Sequence, residues 1–260
     1  MLNRDFKVTQ HGESKVLELY LYGDIESDYY DFWFGKTESK TSCNYIQKAI
    51  ERAGAVSEIK VFINSCGGSV KEGIAIYNIL KRQSIPVTVY IDAFAFSVAS
   101  VIAMAGDKVV MPSNTTMFLH HAAWGVYGNS IELRKAADDL DVIDEASNKS
   151  YLVKAGDKLS AEKLNELLDN ETFLGAEQAL ELGLCDEIVD PVDMSDSKEV
   201  VEQAAKSPDK KNAYERKAVA KAVEIIRSEP LKESKSEGES SFDWLSELFK
   251  NTEFKRRKTI

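Results

Sequence analysis

The stretch Ile59–Arg82 reads IKVFINSCGGSVKEGIAIYNILKR, and it decides the fold class. Its first five residues, Ile59–Ile63, are branched and aromatic side chains around one lysine, which is typical of a β-strand. The glycines Gly67 and Gly68 follow, and paired glycines allow a tight turn and a close approach of the backbone. Apolar residues then recur at helical spacing over Val70–Arg82. The stretch therefore predicts a strand, a tight turn and a helix in direct succession.

The same succession continues on both sides of this stretch. Strands are predicted at Leu17–Leu21, Pro86–Ile91, Val109–Met111, Thr116–Leu119 and Cys185–Val189, and helices at Thr41–Ala53, Ser97–Ala105, Ile131–Ala155, Ala161–Leu168 and Ala176–Leu182. The polar and aromatic segment Asp24–Lys40 is predicted to be a loop. Alternating strands and helices favour an α/β fold with a mainly parallel sheet. In such folds the active groups gather at the carboxyl ends of the strands.

The composition limits the classes of function. The chain has 260 residues and a formal net charge of −10, which argues against a nucleic-acid partner because phosphates require a basic face. Three widely spaced cysteines suggest neither a disulfide framework nor a metal site, and indicate a reducing compartment. The most apolar stretch, Ala93–Ala105, is shorter than the roughly 20 residues that cross a bilayer. We therefore expect a cytoplasmic protein with no membrane partner, no metal and no other cofactor.

The chain divides into two parts by composition. Residues 1–190 are predicted to form one α/β domain, and residues 191–260 a polar, charged C-terminal extension that is partly helical or disordered. Within the extension, Tyr214–Arg227 has helical spacing, and Phe242–Phe249 is a candidate amphipathic helix. The four basic residues KRRK at Lys255–Lys258 are interpreted as solvated charges.

Ser97 is the candidate nucleophile, because it follows a predicted strand and opens a predicted helix. Free backbone N–H groups and the helix dipole favour a negative oxygen at such a position, and Val98 would offer one N–H to an oxyanion. The competing interpretation is that Ser97 only caps the helix. Ser100 is a weaker candidate, because a hydroxyl inside a helix more often bonds back to a carbonyl.

The candidate bases are few, since the chain has three histidines. His11 lies in a polar N-terminal segment. His120 and His121 follow the apolar strand Thr116–Leu119, and neighbours on a strand point to opposite faces, so one of the two is expected at the site. The residue types alone leave open which one.

These segments, in their order and spacing, resemble the Clp protease family. The resemblance rests on Ile63–Val70 (INSCGGSV), Gly73–Tyr77, Ala95–Ser97, Ala105–Gly106, Met111–Pro112, Met117–His120, Glu171–Ala176 and Ala179–Asp186, and it extends over about Leu17–Val189. It implies the Clp protease and crotonase-like fold of repeated ββα units. The family's usual proline, glycine and alanine are replaced by Cys66, Ala93 and Phe96, and Phe96 is expected to narrow the space around the serine.

The resemblance also implies roles for individual residues. It places Ser97 at the nucleophile and His120, not His121, at the base. Glu171 stands where the family has the aspartate of its catalytic triad, with Asp169 as the alternative. The oxyanion donors would be the N–H groups of Gly68 and Val98. The implied activity is that of a serine endopeptidase acting on proteins or peptides, assembled as a homo-oligomeric ring.

A finer resemblance points to the Clp-like proteases of tailed phages and prophages, which mature the phage head. It rests on Phe32–Gly35, on Gly125–Asn129 followed by Glu132–Ala136, and on Glu171–Phe173. It implies capsid or scaffold proteins as partners and an infected bacterial cell or a procapsid as the location. Two alternatives stay open, a housekeeping proteolytic subunit that works with an ATP-dependent unfoldase and an inactive body with a scaffolding role. A crotonase-type enzyme acting on coenzyme A thioesters is a more distant alternative.

Overall fold

A computed structural model describes residues 6–11, 14–31, 35–192, 200 and 219–225. The strands are β1 (Lys7–His11), β2 (Ser14–Tyr22), β3 (Tyr29–Asp31), β4 (Gly35–Thr37), β5 (Glu58–Ser65), β6 (Val87–Phe96), β7 (Lys108–Pro112), β8 (Thr116–Leu119), β9 (Thr172–Gly175) and β10 (Glu187–Val189). The helices are α1 (Cys43–Ala53), α2 (Val70–Lys81), α3 (Val98–Ala103), α4 (Ser130–Ala155), α5 (Ala161–Asp169) and α6 (Ala176–Glu181), with a 3-10 turn at Gly156–Lys158.

The main sheet runs in the order β1-β2-β5-β6-β7-β10. Its pairs are parallel except for β1 with β2, so the predicted mainly parallel α/β fold is confirmed. Along β5 and β6 fully buried residues alternate with half-buried ones, and both strands become continuously buried towards their carboxyl ends.

Strand β6 has two different neighbours along its length. Its first half, Thr88–Tyr90, pairs with β7, and its last three residues, Phe94–Phe96, pair in parallel with β8. Strand β8 in turn pairs antiparallel with β9. The carboxyl ends of β6 and β8 and the amino end of β9 therefore meet at one edge of the sheet.

Three helices begin at residues whose side chains cap them. Ser42 caps α1 by accepting from the Tyr45 N–H, and Ser69 caps α2 by accepting from the Glu72 N–H. Asn129 and Glu132 form a reciprocal capping box at the start of α4. These caps fix where three of the crossover helices begin.

The clearest differences from the sequence prediction are in β6, which is longer than predicted, and in β1, β3, β4 and β9, which were not predicted. Strand β6 extends to Phe96 although the prediction ended it at Ile91, because Ala93–Phe96 continues the sheet alongside β8. The segment predicted as a loop at Asp24–Lys40 contains β3 and β4, which pair antiparallel. Strand β9 was not predicted, since four residues between two helices carry too little periodicity.

Of the C-terminal extension, the structure describes residues 191–192, 200 and 219–225. Residues 219–225 are helical, within the predicted helix Tyr214–Arg227, and bury Val219, Ala222 and Val223. The segments Phe242–Phe249 and Lys255–Lys258 lie outside the described residues, and the domain boundary at residue 190 stays a prediction. Over the described part of the chain, no helix combines the length and the apolar character that crossing a membrane requires.

Candidate active site

Ser97 occupies a strained turn between β6 and α3. Its φ of 55° and ψ of −131° lie outside the regions that a residue with a side chain ordinarily adopts. Such a conformation costs on the order of 1–3 kcal/mol and persists only where the surroundings impose it. Ser97 stands at the N-cap position of α3, but its hydroxyl makes no capping hydrogen bond. The hydroxyl is therefore not used as a helix cap.

Two buried hydroxyl groups hold the carbonyl side of this turn. The Ser100 hydroxyl donates to the Ser97 carbonyl oxygen over 2.6 Å, and Tyr151 Oη lies 2.7 Å from Ser100 Oγ. Because Ser100 has one hydroxyl proton, Tyr151 is the donor to Ser100. Burial raises the pKa of Tyr151, which keeps its phenol protonated as this role requires. Ser100 is thus engaged in the back-bond expected from its place inside a helix.

The glycine turn after β5 packs directly against Ser97. Gly67 has φ of 96°, and a Cβ at this position would lie 2.7 Å from Ser97 Cβ. Gly68, the predicted oxyanion donor, has φ of 144° and lies against the backbone of Ile25. The N–H of Val98 is the first of α3, where a helix leaves its amides without an intrahelical acceptor. Ser97 therefore lies between the turn and the start of the helix.

His120 follows β8 and lines a cavity together with Ser97, Val98 and Asp144. Its Nδ1 lies 2.6 Å from the carbonyl oxygen of His121. A carbonyl oxygen only accepts, so Nδ1 carries the proton and Nε2 is the basic nitrogen. Burial lowers the pKa of His120, against the opposing effects of this hydrogen bond and of the Glu171 and Asp144 charges. The imidazole is therefore neutral at neutral pH, as a general base must be.

The strand register brings Glu171 towards His120. Leu119 pairs with Thr172 in the antiparallel pair of β8 and β9, so the next residues outward are His120 and Glu171. Glu171 has φ of 48°, and its negative charge raises the pKa of His120. Glu171 thus acts on His120 through its charge, whereas the Nδ1 proton of His120 goes to the His121 carbonyl oxygen.

His121 lies apart from the serine cavity and contacts two aspartates. Its Nδ1 lies 2.8 Å from Asp144 Oδ2, and its Nε2 lies 3.0 Å from Asp169 Oδ1. Asp169, the alternative acid in the sequence analysis, is thus placed against His121. Of these two carboxylates Asp169 is the exposed one, with 72% of its side chain accessible against 15% for Asp144.

Phe96 does not line the cavity that contains Ser97. Its ring packs against Phe94, Phe118 and Phe173 in a buried aromatic cluster. Side chains alternate along β6, so the ring of Phe96 and the hydroxyl of Ser97 are directed to different neighbours. The expected narrowing of the serine's surroundings by Phe96 is not seen.

Sequence reasoning missed two residues that contact the site, Asp144 and Tyr151. They are seven residues apart on α4, two helical turns, and both line the cavity. Their spacing within the predicted helix Ile131–Ala155 was a signal that they share a face, although nothing in the sequence indicated which face.

A serine at a strained strand-to-helix turn, sharing a cavity with a neutral histidine on a parallel α/β sheet, defines a site of the serine-nucleophile class. The profile of the Clp protease family matches residues 36–192. The chain belongs to the Clp protease family.

One curated relative is the ATP-dependent Clp protease proteolytic subunit of Deinococcus radiodurans. It is 32% identical to this chain over 136 residues, which cover 51% of this chain and 65% of that subunit. The match therefore spans somewhat less than two thirds of the relative's length.

Proposed function

We propose that this protein is a serine endopeptidase that hydrolyses peptide bonds through Ser97 and His120. The observation that carries the proposal is that Ser97, at its strained turn, and the neutral His120 line one cavity where β6 and β8 end. Membership of the Clp protease family supports it.

The reaction follows from the positions of these groups. As Ser97 Oγ bonds to the substrate carbonyl carbon, its proton moves to His120 Nε2 and the carbonyl electrons move to oxygen. The N–H groups of Gly68 and Val98 would hold this oxyanion, and Glu171 would stabilise the imidazolium. Collapse of the intermediate expels the amine, which takes the proton from Nε2, and water then releases the acyl group by the same path.

A fluorophosphonate probe tests the proposal, because it phosphonylates only an activated serine. We expect the wild type to gain one probe mass, and Ser97→Ala and His120→Ala to gain none. Ser57→Ala is the matched control, since Ser57 is an exposed serine whose hydroxyl donates to the Lys15 carbonyl. A folded wild type that takes up no probe would contradict the proposal.

We further propose that the enzyme acts as a phage or prophage head maturation protease, cleaving capsid or scaffold proteins in the cytoplasm of an infected cell or in a procapsid. The supporting observations are the sequence segments around Phe32–Gly35, Gly125–Asn129 and Glu171–Phe173. Incubation of the purified enzyme with scaffold and capsid proteins from the same genome tests this. Cleavage without ATP or an unfoldase is expected, and resistance of both proteins would contradict the assignment.

The housekeeping function is the second candidate, and the relative from Deinococcus radiodurans favours it, since its name records an ATP-dependent subunit. In that case a host unfoldase would bind the protein firmly and make degradation of a folded substrate depend on ATP. A pull-down with the unfoldase separates the two candidates. Firm binding would count against the head maturation role.

A homo-oligomeric ring is proposed for either role. Apolar side chains are exposed just before and at the start of α4, among them Trp124, Tyr127 and Ile131. Exposed apolar groups close together are typical of surfaces that bind another protein. Light scattering after size exclusion would give the mass. A monomer at micromolar concentration would contradict the ring.

A further inference from the structure

We propose that Asp144 is a positioning residue for His120 and acts through the peptide group that joins His121 to Ala122. The inference rests on the proposed function, because it concerns how the proposed base is oriented. Asp144 lies on α4, and neither the sequence motifs nor the strand register identify it as part of the site.

The contact to His120 comes from the carbonyl half of this peptide group. His120 Nδ1 donates to the His121 carbonyl oxygen over 2.6 Å. This bond fixes the tautomer of the ring and leaves Nε2 as the nitrogen that accepts the proton of Ser97. A peptide oxygen thus occupies the donor side of the imidazole, where serine peptidases ordinarily have a carboxylate.

The contact to Asp144 comes from the amide half of the same peptide group. The Ala122 N–H donates to Asp144 Oδ1 over 2.6 Å. A hydrogen bond between a charged acceptor and an amide is shorter and stronger than a neutral one. Polarisation by the carboxylate aligns the peptide dipole, with its negative oxygen towards His120. The Asp144 carboxylate therefore strengthens the hydrogen bond that orients the His120 ring, although one peptide group lies between them.

The second oxygen of Asp144 holds the preceding side chain. His121 Nδ1 lies 2.8 Å from Asp144 Oδ2, and His121 Nε2 contacts Asp169. Asp144 therefore bonds to both residues that form the peptide group, which prevents the group from rotating. The strand pairing of β8 ends at Leu119, so the direction of the His121 carbonyl is fixed by these bonds.

The location of Asp144 suits this function. Its side chain is 15% exposed, so its charge is less screened by water than that of a surface carboxylate. The charge of Asp144 raises the pKa of His120. The hydrogen bond from His120 to the His121 carbonyl raises this pKa more strongly. Helix α4 also carries Tyr151, which supports the Ser97 turn through Ser100. One helix thereby holds the nucleophile at one point and the base at another, two turns apart.

The test is the rate of fluorophosphonate labelling as a function of pH for the full-length wild type, Asp144→Asn and the control Glu145→Gln. Glu145 is the neighbouring exposed carboxylate of α4, and it pairs with Lys149. We expect Asp144→Asn to lower the plateau rate roughly tenfold to a hundredfold, the loss that is typical when the hydrogen-bond partner of a metal-binding histidine is removed. The labelling rate falls at acid pH as His120 becomes protonated, and we call this part of the pH profile its acid limb. In Asp144→Asn the acid limb should move to lower pH, because the lost charge no longer raises the pKa of His120. Glu145→Gln should change neither quantity.

The pH profile separates positioning from general stability, since a merely structural loss lowers the folded fraction without moving the acid limb. An unchanged rate and acid limb in folded Asp144→Asn would overturn the inference. Should that variant fail to fold, Asp144→Glu keeps the charge but moves the carboxylate away from the Ala122 amide, and a wild-type rate there would overturn the inference equally. Failure of the proposed function looks different, because the wild type would then be as unreactive as Ser97→Ala.

Discussion

The amide of Ser97 donates to the carbonyl oxygen of Phe118 over 2.8 Å, which extends the pairing of β6 with β8 by one bond. This bond aligns the two strand ends, so that Ser97 and His120 both emerge at the same edge of the sheet. The strand pairing thus brings together two residues that are 23 positions apart in the sequence. The geometry of the site is therefore a consequence of the sheet register.

The strain at Ser97 predicts an unusual order of stability among its variants. Ser97→Gly removes both the hydroxyl and the steric cost of φ 55°, whereas Ser97→Ala removes the hydroxyl and keeps the cost. We expect both variants to be inactive and Ser97→Gly to be more stable than Ser97→Ala by about 1 kcal/mol. Thermal unfolding at equal protein concentration measures the difference. A Ser97→Gly variant less stable than Ser97→Ala would show that the turn is not strained.

The depressed pKa of His120 predicts two effects of pH. Burial moves this pKa below 6.5, so the neutral base persists below that pH and half-maximal labelling should lie on the acid side of 6.5. Between the lowered pKa and 6.5 the unfolded chain binds the proton more readily than the folded one. The free energy of unfolding should therefore rise with pH across this window and level off above it.

The matched variant for this prediction is His120→Gln, which has no titrating group at this position. Below pH 6.5 its free energy of unfolding should rise less steeply with pH than that of the wild type, because the contribution of His120 is missing. Urea unfolding at several pH values measures the slope. Equal slopes in the wild type and in His120→Gln would be inconsistent with a buried neutral imidazole.

The sequence predicted the sheet class and Ser97, but it left the choice of histidine to the family resemblance. Alternation along a strand says that His120 and His121 point to opposite sides, and not which side faces the serine. The structure resolves this by contacts, since His120 lines the serine cavity and His121 binds Asp144 and Asp169.

Asp144 illustrates what a sequence cannot indicate. Helix α4 carries several carboxylates within a few residues, namely Asp138, Asp139, Asp141, Asp144 and Glu145. All have the same chemistry and most are exposed, so only the packing of the helix against the chain after β8 distinguishes Asp144. The long-range pairing that extends β6 to Phe96 was hidden for the same reason, because its partner strand begins 20 residues later.

Substitution of the two acids named in the sequence analysis, Glu171 and Asp169, should affect the pH dependence of the labelling rate differently. The charge of Glu171 raises the pKa of His120, so Glu171→Gln should move the acid limb of labelling to lower pH. Asp169 contacts His121, and Asp169→Asn is expected to leave the acid limb in place. Glu166→Gln, an exposed carboxylate of α5 paired with Lys163, serves as the control for charge alone. A shift with Asp169→Asn and none with Glu171→Gln would reverse the assignment.

Tyr151 supports the nucleophile turn, and Tyr151→Phe removes only its hydroxyl. The buried Ser100 oxygen then loses its donor, which should lower the free energy of unfolding by about 1 kcal/mol. The labelling rate at Ser97 should fall as well, because Ser100 is less firmly directed at the Ser97 carbonyl. Tyr30→Phe is the control, since Tyr30 is 78% exposed. A Tyr151→Phe variant with lower stability but an unchanged labelling rate would show that the Tyr151 hydroxyl stabilises the fold without supporting the reactivity of Ser97.

The turn at Gly67 gives the sharpest steric prediction, because the chain offers a second glycine of positive φ whose Cβ position lies in open space. Gly67 and Gly54 both have positive φ, 96° and 67°. A Cβ at Gly67 would lie 2.7 Å from Ser97 Cβ and 2.9 Å from the Phe96 oxygen, whereas one at Gly54 meets nothing within 4 Å. Both alanine variants should lose stability through their backbone conformation.

Only Gly67→Ala should also displace Ser97. We therefore expect Gly67→Ala to abolish fluorophosphonate labelling and Gly54→Ala to keep it, with both measured on folded protein below the unfolding temperature. A labelled Gly67→Ala would mean that the turn can move away from the serine without loss of the site. In that case the close approach of the glycine turn would not be what holds Ser97 in its reactive position.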